Sequence, residues 1–252
     1  MVEASRKFVC VRLATYENQA EADFTKTIHL GKSGFVENST FGILSPDGKQ
    51  KLTRAGRAPF YEYRNAHAMA EGMKKIAAEH KVANETVYSD PQLPYIASLD
   101  LAINVSSADK LPLVVVVGND PAKTKELEAK LLPLAWSHTF AGQFNYVTAD
   151  KADDFKPVTG IEGDPESMNS VLILESGKFG LSGDVLAELD VSASTEEIQA
   201  ALSKAVATME RPRKSRRAHV NMGMKLGVMW ESKTPVTDPE AAAMVAKRRN
   251  KK

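Results

Sequence analysis

The sequence predicts an α/β protein built from two related modules and followed by a basic segment. The first observation is an uninterrupted apolar run at residues 113–117, as expected for a strand buried on both faces of a sheet. The second is a strand–turn–strand–helix pattern that occurs twice, with Gly177 following Gly48 by 129 positions. A chain of 252 residues with 43% hydrophobic residues is large enough for one or two cores.

In the first copy of the pattern, residues 40–56 predict a β-hairpin. Its turn is Pro46-Asp47-Gly48, whose residue types favour a tight reversal. Asn65 then predicts the N-cap of a helix that runs to His80. Apolar residues recur there at helical spacing, so one face of this helix is expected to be buried.

The second copy repeats these elements in the same order. Residues 171–174 predict a strand, Ser176-Gly177 a turn, and a second strand ends near Leu189. Ser194 with Glu197 three residues later predicts a capping box, and a helix follows.

Upstream, the two copies differ by one strand and one helix. In the first copy, residues 7–15 predict a strand, and residues 17–28 predict a helix. The counterparts in the second copy are residues 144–148 and 152–155. In front of these, the strand at 113–117 leads to a helix with Asp120 as N-cap and Pro121 in its first turn. The second copy therefore has the order β-α-β-α-β-β-α and the first only β-α-β-β-α.

This order, together with the segment TFGILSPDGKQKL at residues 40–52, resembles the thioredoxin-like superfamily over about residues 6–80 and 111–209. The resemblance implies two tandem domains, each a central mixed sheet flanked by helices. It also implies a redox pair at residues 118–121 and a cis-proline at residues 38–40 and 168–170, where this chain has neither. With a single cysteine, the usual two-thiol disulfide exchange is impossible.

The predicted domains are residues 1–82, lacking the first strand and helix, a linker at 83–106 that contains Pro91 and Pro94, a complete domain at 107–209, and a basic tail at 210–252. Three arrangements of the tail stay open. It could fold back and complete the first domain, with residues 224–230 as a strand and a helix from Asp238-Pro239. It could instead be a lead-in helix of the kind that precedes a thioredoxin domain, or a loose tail.

The charge of the chain is concentrated at its end. Overall, 33 Lys and Arg residues face 32 Asp and Glu residues, whereas residues 210–252 alone have a net charge of +8. The first basic cluster is Arg211, Arg213, Lys214, Arg216 and Arg217. We expect either a solvated tail against an acidic body, or binding to an anionic partner or another protein. Because the cluster lacks aromatic residues, specific nucleic-acid recognition is not expected.

No run of 18 apolar residues is present, so no membrane span is predicted. The compartment stays open: cytoplasmic if the chain is complete as given, or periplasmic or extracellular if a signal peptide has been removed.

Cys10 lies in the apolar segment KFVCVRL, which predicts a buried, unreactive thiol. The alternative is a one-cysteine nucleophile. That function would require an exposed Cys10 with a cation such as Arg12 lowering the pKa of the thiol.

The tail also contains a pattern that suits a soft metal. His219, Met222, Met224 and Met229 combine imidazole and thioether ligands, which favour Cu(I). In an extended strand Met222 and Met224 would share one face. The alternative is a methionine-rich strand packed on the body of the protein. No other cofactor is predicted.

No hydrolase or nucleotide-binding motif occurs, and no catalytic set can be assembled from the sequence. The leading expectation is a redox-inactive, thioredoxin-like binding or scaffold protein with a basic C-terminal segment. The alternatives are a copper-binding protein and a one-cysteine oxidoreductase.

Overall fold

A computed structural model describes residues 2–80, except positions 12, 14, 16, 17, 32, 33, 35, 37 and 38, and then residues 92–209, 215–228, 242, 243, 246 and 247. The chain divides into two compact units. The N-terminal unit comprises Met1–Val87 and Trp230–Lys252, and the sheet unit comprises Tyr88–Met229.

The N-terminal unit contains three helices, α1 (Val2–Ser5), α2 (Gln19–Ile28) and α3 (Ala66–Glu79). The predicted hairpin is present as two antiparallel bridges, Phe41 with Gly56 and Leu44 with Lys51. The Gly48 N–H closes its turn by donating to the Ser45 carbonyl at 2.8 Å. The prediction of α3 is confirmed, because the Asn65 side chain accepts from the Ala68 N–H at 2.9 Å.

The strand predicted at residues 7–15 is wrong. Among its described residues none belongs to a strand, and Val9 and Val11 are 69% and 70% exposed. An apolar segment is stable as a strand only when a neighbouring strand pairs with its backbone. The described residues of this unit contain no sheet beyond the two bridges of the hairpin. The central sheet expected for a first thioredoxin-like domain is therefore not seen there. Its core is a small cluster around Ala4, Ile43 and Met73.

The sheet unit is an α/β structure with a mixed six-stranded sheet. Its strands are β1 (Tyr95–Ile96), β2 (Leu113–Gly118), β3 (Asn145–Ala149), β4 (Val158–Thr159), β5 (Asn169–Ser176) and β6 (Gly183–Asp190). They lie in the order β1-β3-β2-β5-β6-β4. Strand β2 is parallel to β3 and antiparallel to β5, and β6 is antiparallel to β5.

Helices cover both faces of this sheet. They are α4 (Leu99–Asp109), α5 (Pro121–Ala135), α6 (Thr195–Thr208) and α7 (Arg216–Lys225). Val114 and Val116 of β2 pack in a cluster with residues of α5 and α6, whereas Val115 and Val117 pack with residues of α4. The prediction that residues 113–117 are buried on both faces is therefore confirmed.

The hairpin and helix of the second copy are also confirmed. Strands β5 and β6 pair, and Ser194 and Glu197 form the complete capping box at the start of α6. Such a cap stabilises a helix by about 1 kcal/mol.

The predicted linker at 83–106 needs correction. From residue 92 onwards it contains β1 and most of α4, while residues 83–91 lie outside the described residues. Leu99, Ala102 and Ile103 recur at helical spacing and are buried, so this segment is part of the core of the sheet unit. The prolines at 91 and 94 precede these elements and do not interrupt them.

The strand predicted at residues 224–230 is also wrong over its described part. Met224 lies in α7, which begins with the Ser215 side chain accepting from the Ala218 N–H, and residues 226–228 follow as a turn and coil. Met229, Trp230 and most of the helix predicted after Asp238 lie outside the described residues. No helix in the described part of the chain has the length and apolar character needed to cross a bilayer.

Candidate binding site at the start of helix α5

The candidate site lies where the end of β2 and the start of β5 meet the first turn of α5. Because β2 and β5 are antiparallel with Gly118 opposite Asn169, the segments at 118–121 and 168–170 are neighbours. These are the two positions at which the thioredoxin resemblance implies a redox pair and a cis-proline. The sequence order alone does not place them together. The sheet register does.

Hydrogen bonds join the two segments. The Asp120 N–H donates to the Asn169 side-chain oxygen at 3.1 Å, and the Asp120 carboxylate accepts from the Ala122 N–H at 2.9 Å. The Thr124 hydroxyl donates to the Asp120 carbonyl at 3.0 Å, and the Asn119 side-chain amide donates to the Pro165 carbonyl at 3.0 Å. Helix starts leave backbone N–H groups without partners, and these bonds supply several of them.

Pro121 occupies the first position of α5, where its missing N–H costs nothing. Gly118 allows the strand end to approach this turn closely, because a Cβ there would lie 1.9 Å from the Thr124 hydroxyl oxygen. The site is thus a rigid polar corner whose structure depends on small and capping residues.

The corner contains no group suited to nucleophilic or redox chemistry. The only cysteine of the chain is Cys10, which belongs to the N-terminal unit. Over the described residues all peptide bonds are trans, including those at 168–170. Asn119, Pro121 and Ser167 are exposed, so the corner presents amide and hydroxyl groups to solvent.

A cleft of about 400 Å³ lies on the exposed side of α5, between this helix and the chain before β1. The Tyr95 hydroxyl donates to the Glu128 carboxylate at 2.8 Å within it, and the Trp136 indole N–H donates to the Gln92 carbonyl at 3.1 Å. Burial, and then the bond to Glu128, raises the pKa of Tyr95 well above its usual value. The sequence analysis missed this cleft because it assigned residues 92–96 to a linker.

Cys10 is exposed, so the prediction of a buried thiol is wrong. The apolar neighbours that suggested burial are themselves in solvent, since their segment pairs with no strand. The Cys10 sulfur lies 4.0 Å from the Ser5 carbonyl oxygen. Arg12, the cation named for the one-cysteine alternative, lies outside the described residues.

The copper ligand set is not brought together in the described residues. Met222 and Met224 lie on a helix, where residues two apart point in directions about 160° from each other. The extended geometry assumed for them is therefore wrong. The His219 ring packs against the Phe179 ring, with centroids 4.5 Å apart, and Met229 lies outside the described residues. No group of three His, Cys, Asp or Glu residues suited to a metal occurs in the described part of the chain.

Of the basic cluster, the structure describes only the end. Arg216 and Arg217 are the first two residues of α7, and Arg217 is exposed. Arg211, Arg213 and Lys214 lie outside the described residues.

Comparisons with protein-family models, with curated proteins and with solved structures found no match for this chain. Its function is therefore inferred from the residues and geometry described above.

Proposed function

We propose that the chain is a redox-inactive, thioredoxin-like binding protein, in which the sheet unit offers the corner at the start of α5 as a binding surface. The observation that carries the proposal is the bond from the Asp120 N–H to Asn169, with the capping of α5 by Asp120. At the place where a thioredoxin-like protein would have reactive sulfur, this chain has side chains whose hydrogen bonds hold the helix start in place.

The topology of the sheet unit supports the thioredoxin-like part of the proposal. Its four longer strands lie in the order β3-β2-β5-β6, with only β2 and β3 parallel. Helices α5 and α6 pack on one face and α4 on the other. This combination of order, direction and helix placement is that of a thioredoxin fold, with β1 and α4 preceding it. The function does not follow from the fold alone, because one fold serves many functions.

Binding is favoured over catalysis because the corner lacks a nucleophile and an acid–base pair. Asn and Ser side chains can donate to and accept from a polypeptide backbone, which suits recognition of an extended segment of another protein.

The catalytic part of the question is tested with insulin reduction driven by dithiothreitol. We expect the wild-type chain to leave the rate at the background value, and Cys10→Ser to behave identically. A rate above background that disappears in Cys10→Ser would contradict the proposal. It would instead support the one-cysteine oxidoreductase, which the exposure of Cys10 makes the second candidate.

The binding surface is tested with a photo-crosslinking amino acid at position 119. The control is the same amino acid at position 151, another exposed residue of the sheet unit. In lysate of the native host, we expect a discrete protein adduct from position 119 and none from position 151. The same adducts from both positions, or none from position 119, would exclude this surface.

A further inference from the structure

The segment around α7 carries positive charge that its neighbours do not neutralise. Between residues 211 and 228 the sequence has six Lys and Arg residues and no Asp or Glu. In the part of this segment that the structure describes, neither Arg217 nor Lys225 forms an ion pair with a carboxylate. Uncompensated cations on a helix attract an anionic surface over the length of several residues.

Helix α7 is docked on the sheet unit through a narrow strip. The His219 ring packs on Phe179, and a Cβ added at Gly223 would lie 3.2 Å from the same ring. At about 100° per residue, the pair Val220 and Met224 falls on one side of this strip. Met222 and Leu226 fall on the other side.

Both pairs of apolar side chains are exposed to solvent. Val220 and Met224 are 41% and 54% exposed, and Met222 and Leu226 are 46% and 66% exposed. Only the first pair borders a cation, because Arg217 follows Met224 around the helix by about 20°. An apolar pair next to basic residues, on a helix lying along a surface, is the arrangement of an interfacial membrane anchor.

We propose that α7, while docked on Phe179, binds the surface of a bilayer that contains anionic lipids. Val220 and Met224 enter the boundary between headgroups and acyl chains, and the basic residues 211–217 lie among the anionic headgroups. A nucleic acid would use the charges but leave the apolar pair in water. An acidic protein would need its own groove for that pair. The proposal does not depend on the function proposed for the corner at α5.

The test is sedimentation of the full chain with vesicles of phosphatidylcholine and phosphatidylserine in a roughly two-to-one ratio. Vesicles of phosphatidylcholine alone are the comparison. We expect binding to the anionic vesicles only. Arg216→Gln with Arg217→Gln should weaken it about 25-fold, because each cation near such a surface contributes about fivefold in affinity. Val220→Ser with Met224→Ser should weaken it about tenfold.

The chain offers matched controls for both variants. Lys123→Gln with Lys125→Gln removes two exposed cations from α5 and should leave binding unchanged. Met222→Ser with Leu226→Ser makes the same polar change on the other side of α7 and should also leave it unchanged. If this last variant weakens binding as much as Val220→Ser with Met224→Ser, the docked geometry is wrong.

Equal binding to both kinds of vesicle would overturn the proposal, and so would no binding to either. Binding to duplex DNA or to polyglutamate that is as tight as to anionic vesicles, and insensitive to Val220→Ser with Met224→Ser, would show a polyanion site in place of a membrane anchor.

Discussion

Gly180 is the position in the sheet unit where a single added methyl group should cost most. It follows Phe179 in the loop between β5 and β6 and has a φ of +66°. A Cβ there would lie 2.3 Å from the Cα of Asn104 in α4. The loop cannot move aside freely, because the Phe179 carbonyl accepts from the Asn104 side-chain amide and the Gly177 carbonyl accepts from the Ser107 hydroxyl.

We expect Gly180→Ala to lower the free energy of unfolding by about 3 kcal/mol. About 1 kcal/mol of this comes from the left-handed backbone, which disfavours a side chain. About 2 kcal/mol comes from the displacement of α4 by the overlapping methyl group. Gly142→Ala separates the two contributions, because Gly142 has a φ of +75° with no atom within 4 Å of the added Cβ. Its loss should be about 1 kcal/mol.

Urea unfolding in a Trp230→Phe background measures both losses, because Trp136 of the sheet unit is then the only tryptophan. Equal losses in Gly180→Ala and Gly142→Ala would refute the reasoning, since they would mean that α4 does not lie against the loop as described.

Three further predictions concern the caps and the thiol. Asn169→Ala should lower the free energy of unfolding by about 1 kcal/mol by leaving the Asp120 N–H unpaired, whereas Ser167→Ala next to it should have little effect in the same urea titration. Bonds from the Ser194 N–H and hydroxyl group hold the pKa of Glu197 below its usual 4.5, so its stabilising effect is present above that pH and is lost as the pH falls through the lowered pKa. The difference in stability between wild type and Glu197→Gln should therefore narrow between about pH 6 and pH 3, and a difference that stays constant would contradict the cap. Native Cys10 should react fully with a thiol reagent, and reaction only after denaturation would show that the thiol is protected.

Where the sequence carries a local signal of its own, its prediction agrees with the structure. The apolar run at 113–117 forms a buried strand because β-branched residues with no polar interruption fit the centre of a sheet. The caps at Asn65, Asp120 and Ser194 mark helix starts because their side chains bond to nearby N–H groups.

The errors concern features that depend on distant partners. Residues 7–15 have the composition of a strand, but a strand needs a neighbour, and composition does not provide one. Met222 and Met224 share a face only in a strand, so a wrong secondary structure removes the metal site derived from it. The helix at 99–109 was hidden by Pro91 and Pro94, which were taken to break the whole segment. The corner at α5 was predicted in part: its two segments were named, but their contact depends on the register of β2 and β5.

The central claim, that the corner at α5 is a thioredoxin-type site without sulfur, is tested most directly by putting the sulfur back. In a Cys10→Ser background, Asn119→Cys with Ala122→Cys places two thiols across the start of α5, and Ala193→Cys with Glu196→Cys places a control pair at the same spacing across the start of α6. The account predicts that the α5 pair forms an internal disulfide, has one thiol with a pKa below the usual value of about 8.5, and reduces insulin above background, whereas the α6 pair does not reduce insulin. Equal activity of the two pairs, or inactivity of both, would contradict it.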